Sequence, residues 1–308
     1  MLGSPPPAAR PVGRKWGDEM RRVLIGVATS AMLLSACGGG TSGGGASSSA
    51  PAPTSNAPVS AADCVTAASS SLKQAGTLLI GTDNPAYPPY YQGGETDAHP
   101  NWQFNDPYTG AGFEAAVAYA VAKQLGYDNA DVSWIRTTFD SAIAPGPKDF
   151  DFNIQQYSIT DERAKVVSFS EPYYVTNQTL VTFADSPFAK VTKMSELKKA
   201  RLGAAVGTTS LDFIQNVIKP DGGAQVFDDN TGAKTALENK QIDGIIVDLP
   251  TSGAIAYGEL TNGAVVGQFV REGDEQGDRL GMLFSKDNPL VECVNIALSN
   301  LAQDGTLA

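Results

Sequence analysis

The run Ser158-Ile159-Thr160-Asp161-Glu162-Arg163 sets an alcohol, two carboxylates and a guanidinium around a residue suited to start a helix. Thr160 suits an N-cap, Asp161 and Glu162 a first turn, and Arg163 then falls at the third helical position. A cation there opposes the helix dipole by about 0.3–1 kcal/mol. An anion held at the helix start would repair that conflict, because free backbone N–H groups and a guanidinium fork both suit a carboxylate. Ser158 adds a hydroxyl donor. The competing reading is a surface arginine paired with Glu162 or Asp161.

Catalysis has little to build on. His99 is the single histidine and lies in a polar loop flanked by glycine and proline. Neither a Ser-His-Asp arrangement nor a His/Cys metal cluster can be assembled. No GxGxxG or phosphate-binding loop occurs. No cofactor and no metal are expected.

The elements that must position these groups alternate. Residues 78–81, 132–135, 150–154, 179–183, 202–206, 244–247 and 265–269 read as buried strands. Residues 115–125, 195–199, 211–218 and 290–302 read as helices, several with clear N-caps. Such alternation predicts an α/β fold with parallel sheets. Ligands of these folds sit beyond the carboxyl ends of strands. The chemistry-bearing stretches 83–87, 155–158 and 207–210, together with Asp248, all fall at such ends.

A chain of 308 residues allows one or two domains, and 42% hydrophobic content is that of a globular protein. A net charge of −11 argues against nucleic-acid or anionic-membrane partners. Met20-Arg21-Arg22 followed by the apolar stretch 23–34 makes a signal-peptide pattern. That stretch is shorter than the roughly 20 residues that span a bilayer. It ends in Leu34-Ser35-Ala36-Cys37, which looks like a bacterial lipobox with Cys37 as the lipidated residue. The alternative is cleavage after Ala36 without a lipid. Residues 1–19 fit neither pattern, and translation is expected to begin at Met20. The expected division is an upstream extension and lipoprotein signal peptide over 1–37, a flexible Gly/Ser/Pro tether over 38–62, and a globular part over 63–308. Of three cysteines, the lipid accounts for Cys37. The remaining Cys64 and Cys293 are expected to pair in an oxidising compartment, the alternative being two separate buried thiols.

The segment from Phe150-Asp151-Phe152-Asn153-Ile154 to Phe169-Ser170-Glu171-Pro172-Tyr173-Tyr174 resembles the polar amino-acid family of ABC-transporter substrate-binding proteins, the family 3 solute-binding lipoproteins. There a strand, an S-[IM]-T-x-x-R turn and an F-S-x-P-Y-Y segment recur in this order. Gly76-Thr77-Leu78-Leu79-Ile80-Gly81-Thr82-Asp83 with Tyr87-Pro88-Pro89-Tyr90 is similar to the family's opening strand and first cleft loop. Gly112-Phe113-Glu114, Gly207-Thr208-Thr209, the run 242–248 and Asp304-Gly305-Thr306 follow in family order, so the resemblance covers about residues 76–308.

This resemblance implies an α/β, two-lobed periplasmic-binding-protein type II fold, each hinged lobe a mostly parallel sheet flanked by helices. Lobe one would comprise about 63–175 and 270–308, and lobe two about 176–269, with crossings near 174–178 and 267–271. It also implies a monomeric, non-enzymatic, extracytoplasmic receptor, anchored to the bacterial cell membrane by its lipid. Such a receptor encloses an amino acid by hinge closure and hands it to an ABC permease.

By the same resemblance Arg163 would bind the ligand's α-carboxylate, helped by Ser158 and the backbone at Gln156. Thr208 and Thr209 would grip that carboxylate from lobe two, or merely cap the helix from Leu211. Asp248 would accept from the α-ammonium, although Asp before Leu249-Pro250 is also an ideal N-cap. Tyr87 and Phe139 would sandwich the side chain, with Phe139 as plain core the rival reading. Asp83 would touch polar or cationic side-chain ends, or satisfy loop backbone groups.

Departures from the family pattern bear on side-chain specificity. Gln156, beside Gln155, stands where relatives commonly have Gly or Ser. Val247 is apolar where some carry a polar contact, Ala115-Ala116 replaces a commonly acidic stretch, and the chain stops at Leu307-Ala308. The ligand leaning is glutamine/glutamate-type or basic. The rival functions are a dehydratase of prephenate or arogenate on the same fold and a ligand-sensing ectodomain. The dehydratase would need a general acid such as Glu114 or Glu162, both of which read as exposed.

Overall fold

The computed structural model describes residues 60–270 and 277–307. The expected signal peptide, Cys37 and nearly all of the tether lie outside the described residues, as do 271–276, the first of which ends the second expected crossing. Helix α1 (Ala61–Ala67) begins inside the stretch expected to be tether. It does so because Ser60 Oγ accepts from Asp63 N at 3.1 Å while Ala61 and Val65 bury.

Twelve strands follow in order: β1 (Leu78–Thr82), β2 (Val132–Arg136), β3 (Phe152–Asn153), β4 (Val167–Phe169), β5 (Tyr174–Thr176), β6 (Gln178–Phe183), β7 (Leu202–Ala205), β8 (Ala224–Phe227), β9 (Gly244–Asp248), β10 (Gly263–Phe269), β11 (Asp278–Leu280) and β12 (Leu283–Ser285). They form two five-stranded sheets, ordered β2-β1-β3-β12-β4 and β10-β6-β9-β7-β8, and a two-stranded ribbon, β11-β5. In the first sheet β1 runs parallel to β2 (Leu78 opposite Val132) and to β3, whereas β12 runs antiparallel to β3 and β4. In the second, β7 runs parallel to β8 and β9, whereas β6 runs antiparallel to β9 and β10. The expectation is a mostly parallel sheet in each lobe. β6 and β12 are exceptions because each follows a ribbon strand directly, with no crossover helix to reverse the chain.

Both sheets are covered on two faces. Leu180 and Ile246 face one core of the second sheet, and the adjacent Val181 and Ile245 the other, as strand alternation requires. The larger core of the first sheet takes in Ile80, Phe152 and Phe284 with helices α2 (Phe113–Gln124) and, later in the chain, α7 (Leu290–Gln303). Between them lie α3 (Phe139–Ile143), α4 (Thr209–Phe213), α5 (Asn230–Glu238) and α6 (Leu249–Gly253). The helix expected over 211–218 is α4 continued by a π-helical turn, Ile214–Ile218, and that over 195–199 is a 3-10 turn, Met194–Leu197. Strand β8 and helix α5 had no counterpart in the sequence reading; β8 is an edge strand, half-exposed and weakly patterned.

Cys64 of α1 and Cys293 of α7 form a disulfide, with 5.3 Å between their Cα atoms. No helix among the described residues is long and apolar enough to cross a membrane.

Candidate functional site

Strand ends of both sheets converge on one cavity. All nine residues singled out from the sequence line it: Asp83, Tyr87, Phe139, Gln156, Ser158, Arg163, Thr208, Thr209 and Asp248. The ribbon contributes Thr176 and Asp278 to the lining.

Arg163 is held differently from the sequence expectation. The helix predicted from Thr160 is a single 3-10 turn, Arg163–Lys165, although Thr160 Oγ1 does accept from Arg163 N at 3.2 Å. So short a turn has almost no dipole, and the dipole conflict does not arise. Two carbonyls orient the guanidinium instead. Nη1 donates to Ser158 O at 2.8 Å, and Nη2 to Gly207 O at 2.7 Å, on the far side of the cleft. The Phe139 ring lies 5.3 Å from Cζ and stacks in turn on Tyr157. Phe139 is therefore both cleft wall and core edge.

Both sides of the cleft meet again at Ser158 Oγ and Thr209 Oγ1, 3.1 Å apart, and at Tyr87 Oη and Thr231 Oγ1, 2.7 Å apart. Thr208 caps α4, accepting from Leu211 N at 3.1 Å. Asp248 caps α6 and also faces the cavity. It accepts from Thr251 N at 2.9 Å, Thr251 Oγ1 at 3.0 Å and Tyr90 Oη at 3.0 Å. Burial raises its carboxyl against those three donors.

Asp83 accepts from Asn84 N and from Gln155 Nε2, both at 2.8 Å. Burial pushes its carboxyl up to about 6, with Asp229 and Asp140 adding to the rise. Asp229 caps α5, accepting from Gly232 N at 2.7 Å, and lines the same cavity, where its charge adds to the rise at Asp83. Among the described residues, Asp83, Asp228, Asp229 and Asp248 line the cavity together with Arg163, and Asp278 borders it from the ribbon.

Gln156 lines the cavity, and its backbone, expected to help hold a carboxylate ligand, is engaged elsewhere: its N–H donates to Glu114 Oε1 at 2.8 Å, and its side-chain Nε2 donates to Glu114 Oε2. Glu114 itself is fully buried rather than exposed, and it also accepts from Tyr173 Oη. Glu162, by contrast, is exposed as expected. His99 lies outside the cleft, its Nδ1 2.8 Å from Asp106 Oδ2 and its ring stacked on Tyr108. No cluster that could hold a metal occurs among the described residues.

The sequence reading missed Tyr90, Gln155 as a partner of Asp83, Asp228, Asp229, Thr231 and Asp278. The run Asp228-Asp229-Asn230 was findable as a cap at a strand end, once β8 was recognised. Tyr90 was placed in the first cleft loop without a role, and Asp278 carried no local signal.

Residues 91–308 match the model of the bacterial extracellular solute-binding proteins, family 3. The chain is 31% identical over 244 residues to the L-cystine-binding protein TcyJ of Escherichia coli (strain K12), covering 77% of this chain and 81% of that protein. It is 31% identical over 201 residues to ABC transporter arginine-binding protein 1 of the same strain, covering 63% and 77%. An ancestral arginine-binding protein solved with arginine superposes with a TM-score of 0.61 at 26% identity, over 75% of this chain and 95% of that one. The relatives are binding proteins rather than enzymes, and their two-lobed type II periplasmic-binding fold is the fold described above. By that match and that identity, the chain belongs to the bacterial extracellular solute-binding proteins of family 3.

Proposed function

We propose that this protein captures an amino acid with a cationic side chain and presents it to an ABC permease. It does so outside the cytoplasmic membrane, as a monomer tethered by a lipid on Cys37. Lobe one is the first sheet with its helices, lobe two the second, and the ribbon is the hinge. The observation that carries the reading is the charge pattern of the cleft among the described residues, where Asp83 and Asp229 line the same cavity as Asp248 and Arg163. Arg163 answers the ligand's carboxylate and Asp248 its ammonium. Asp83 and Asp229, like charges in the same cavity, stay uncompensated until a third charged group, positive in sign, arrives between them. Ser158, Thr208 and Thr209 supply hydroxyls beside Arg163, while Tyr87 and Phe139 wall the side-chain end. Relatives described as arginine-binding agree with this choice of ligand. The ligand favours closure only to the extent that it touches both lobes.

A thermal-shift screen against the proteinogenic amino acids tests this. Upward shifts for arginine, lysine or histidine are expected. A shift for neutral or acidic amino acids alone would overturn the cationic side chain but keep the receptor. No shift with any would overturn the receptor itself.

A further inference from the structure

Glu114 is a fully buried acid with no place in the cleft lining, yet it governs a residue that has one. It sits in the first turn of α2, and its carboxylate takes the backbone N–H of Gln156 at 2.8 Å, the Gln156 side-chain amide and the Tyr173 hydroxyl. Gln156 needs holding. Its φ of 50° lies in the left-handed region, which residues other than glycine seldom adopt. Its neighbours carry the cleft on either side. Gln155 Nε2 donates to Asp83 at 2.8 Å while its Oε1 accepts from Tyr157 Oη, also at 2.8 Å, and Ser158 O orients Arg163. The loop from Gln155 to Ser158 thus connects the two ends of the proposed ligand site, with its pivot fastened to Glu114.

We propose that Glu114 is the positioning residue of this loop, holding Gln156 in its left-handed conformation and passing its own protonation state to the cleft as a change in ligand affinity. All three of its partners donate, so the ionised carboxylate satisfies them together. A protonated Glu114 carries a donor of its own, and either the Gln156 amide or the Tyr173 hydroxyl must turn to accept it. The titratable groups around it are Tyr173 before β5, Tyr90 and Tyr91 of the first cleft loop, Tyr157 of the ligand loop and Asp248 at the end of β9. Burial pushes Glu114 up to about 7, and the like charge of Asp248 adds to the rise. The clamp therefore loosens as pH falls through the neutral range.

The test uses the full protein, labelled with 15N, with L-arginine as the probe. In the wild type the backbone and side-chain amide resonances of Gln156 should move together with a midpoint of about 7. Glu114→Gln should flatten both curves, and Tyr173→Phe, which removes one donor, should move the midpoint up. At about pH 8.5 Glu114→Gln should bind L-arginine about ten-fold more weakly than wild type, and at about pH 5.5 the two should agree. Gln156 resonances that do not titrate, or a variant binding like wild type at the higher pH, would overturn the proposal. The affinity arm rests on the receptor reading. If wild type ignores L-arginine, that choice of ligand fails, and the Gln156 resonances alone decide for or against Glu114.

Discussion

Arg163 Nη2 donates to the carbonyl oxygen of Gly207 at 2.7 Å, so the arginine expected to hold the ligand also joins the two sides of the cleft. With Nη1 on Ser158 O, each terminal nitrogen keeps one N–H for a carboxylate. Arg163→Ala should weaken amino-acid binding by at least about 100-fold, the cost of a lost charge-assisted pair. The melting temperature should change little. Arg163→Lys should rescue only part of the affinity, because an ammonium cannot serve two carbonyls and a carboxylate in one plane. Calorimetric titration with unchanged affinity in the alanine variant would refute the assignment.

Gly207 is constrained by backbone and by space. Its φ is 72°, and an added Cβ would lie 2.7 Å from Asp140 Oδ1. Gly207→Ala should lower affinity by displacing the Gly207 carbonyl from Arg163, with chain folding retained. Scattering profiles should show a smaller ligand-induced compaction than in wild type.

Asp83 gives a pH signature with a definite sign. Its folded-state value is about 6 against an ordinary 3.8, so the folded protein holds that proton more tightly than the unfolded chain. The associated stability is fully present below about pH 4 and lost as pH rises through about 6. Asp83→Asn should therefore melt higher than wild type at about pH 8 without ligand, yet bind arginine more weakly. Near pH 6 the wild type should release protons on binding a cationic ligand. Titrations in buffers of different ionisation enthalpy would measure that release, which the variant should lack.

The Cys64–Cys293 bridge closes a loop of 229 residues in sequence between α1 and α7. Chain-entropy reasoning bounds its contribution at about 5 kcal/mol. Reduction, or the double serine variant, should lower the denaturation midpoint by an amount inside that bound. Ligand affinity should stay within about two-fold, since neither cysteine lines the cleft. A large loss of binding at full foldedness would show that the staple acts on the cleft itself.

Tyr87 Oη and Thr231 Oγ1, 2.7 Å apart, form a contact that exists only when the two sides are together. Tyr87→Phe keeps the aromatic wall and removes the bond. It should reduce affinity several-fold, about 1 kcal/mol, chiefly through faster dissociation. Stopped-flow measurement of both rate constants separates that from a slower approach.

Local pattern was enough for much of this protein. The strand β1 leading into Asp83, the Ser158-to-Arg163 turn, the caps at Thr208 and Asp248 and the pairing left to Cys64 and Cys293 are readable because each depends on neighbours in sequence or on counting. Where the pattern misled, the deciding partner was distant. Glu114 reads as a first-turn surface acid until Tyr173 and Gln156, 59 and 42 residues away, close over it. Gln156 reads as a cleft residue, but that its donors go to that same acid is visible only in the fold. Arg163 reads as needing an anion at a helix start, but the helix is one turn, and Gly207, 44 residues on, supplies an acceptor. The meeting of Asp83 and Asp229 in one cavity likewise requires both sheets to be placed. Capping and alternation are short-range steric and hydrogen-bonding effects, whereas burial, like-charge opposition and contacts across a cleft arise only when separate segments exclude water from one another.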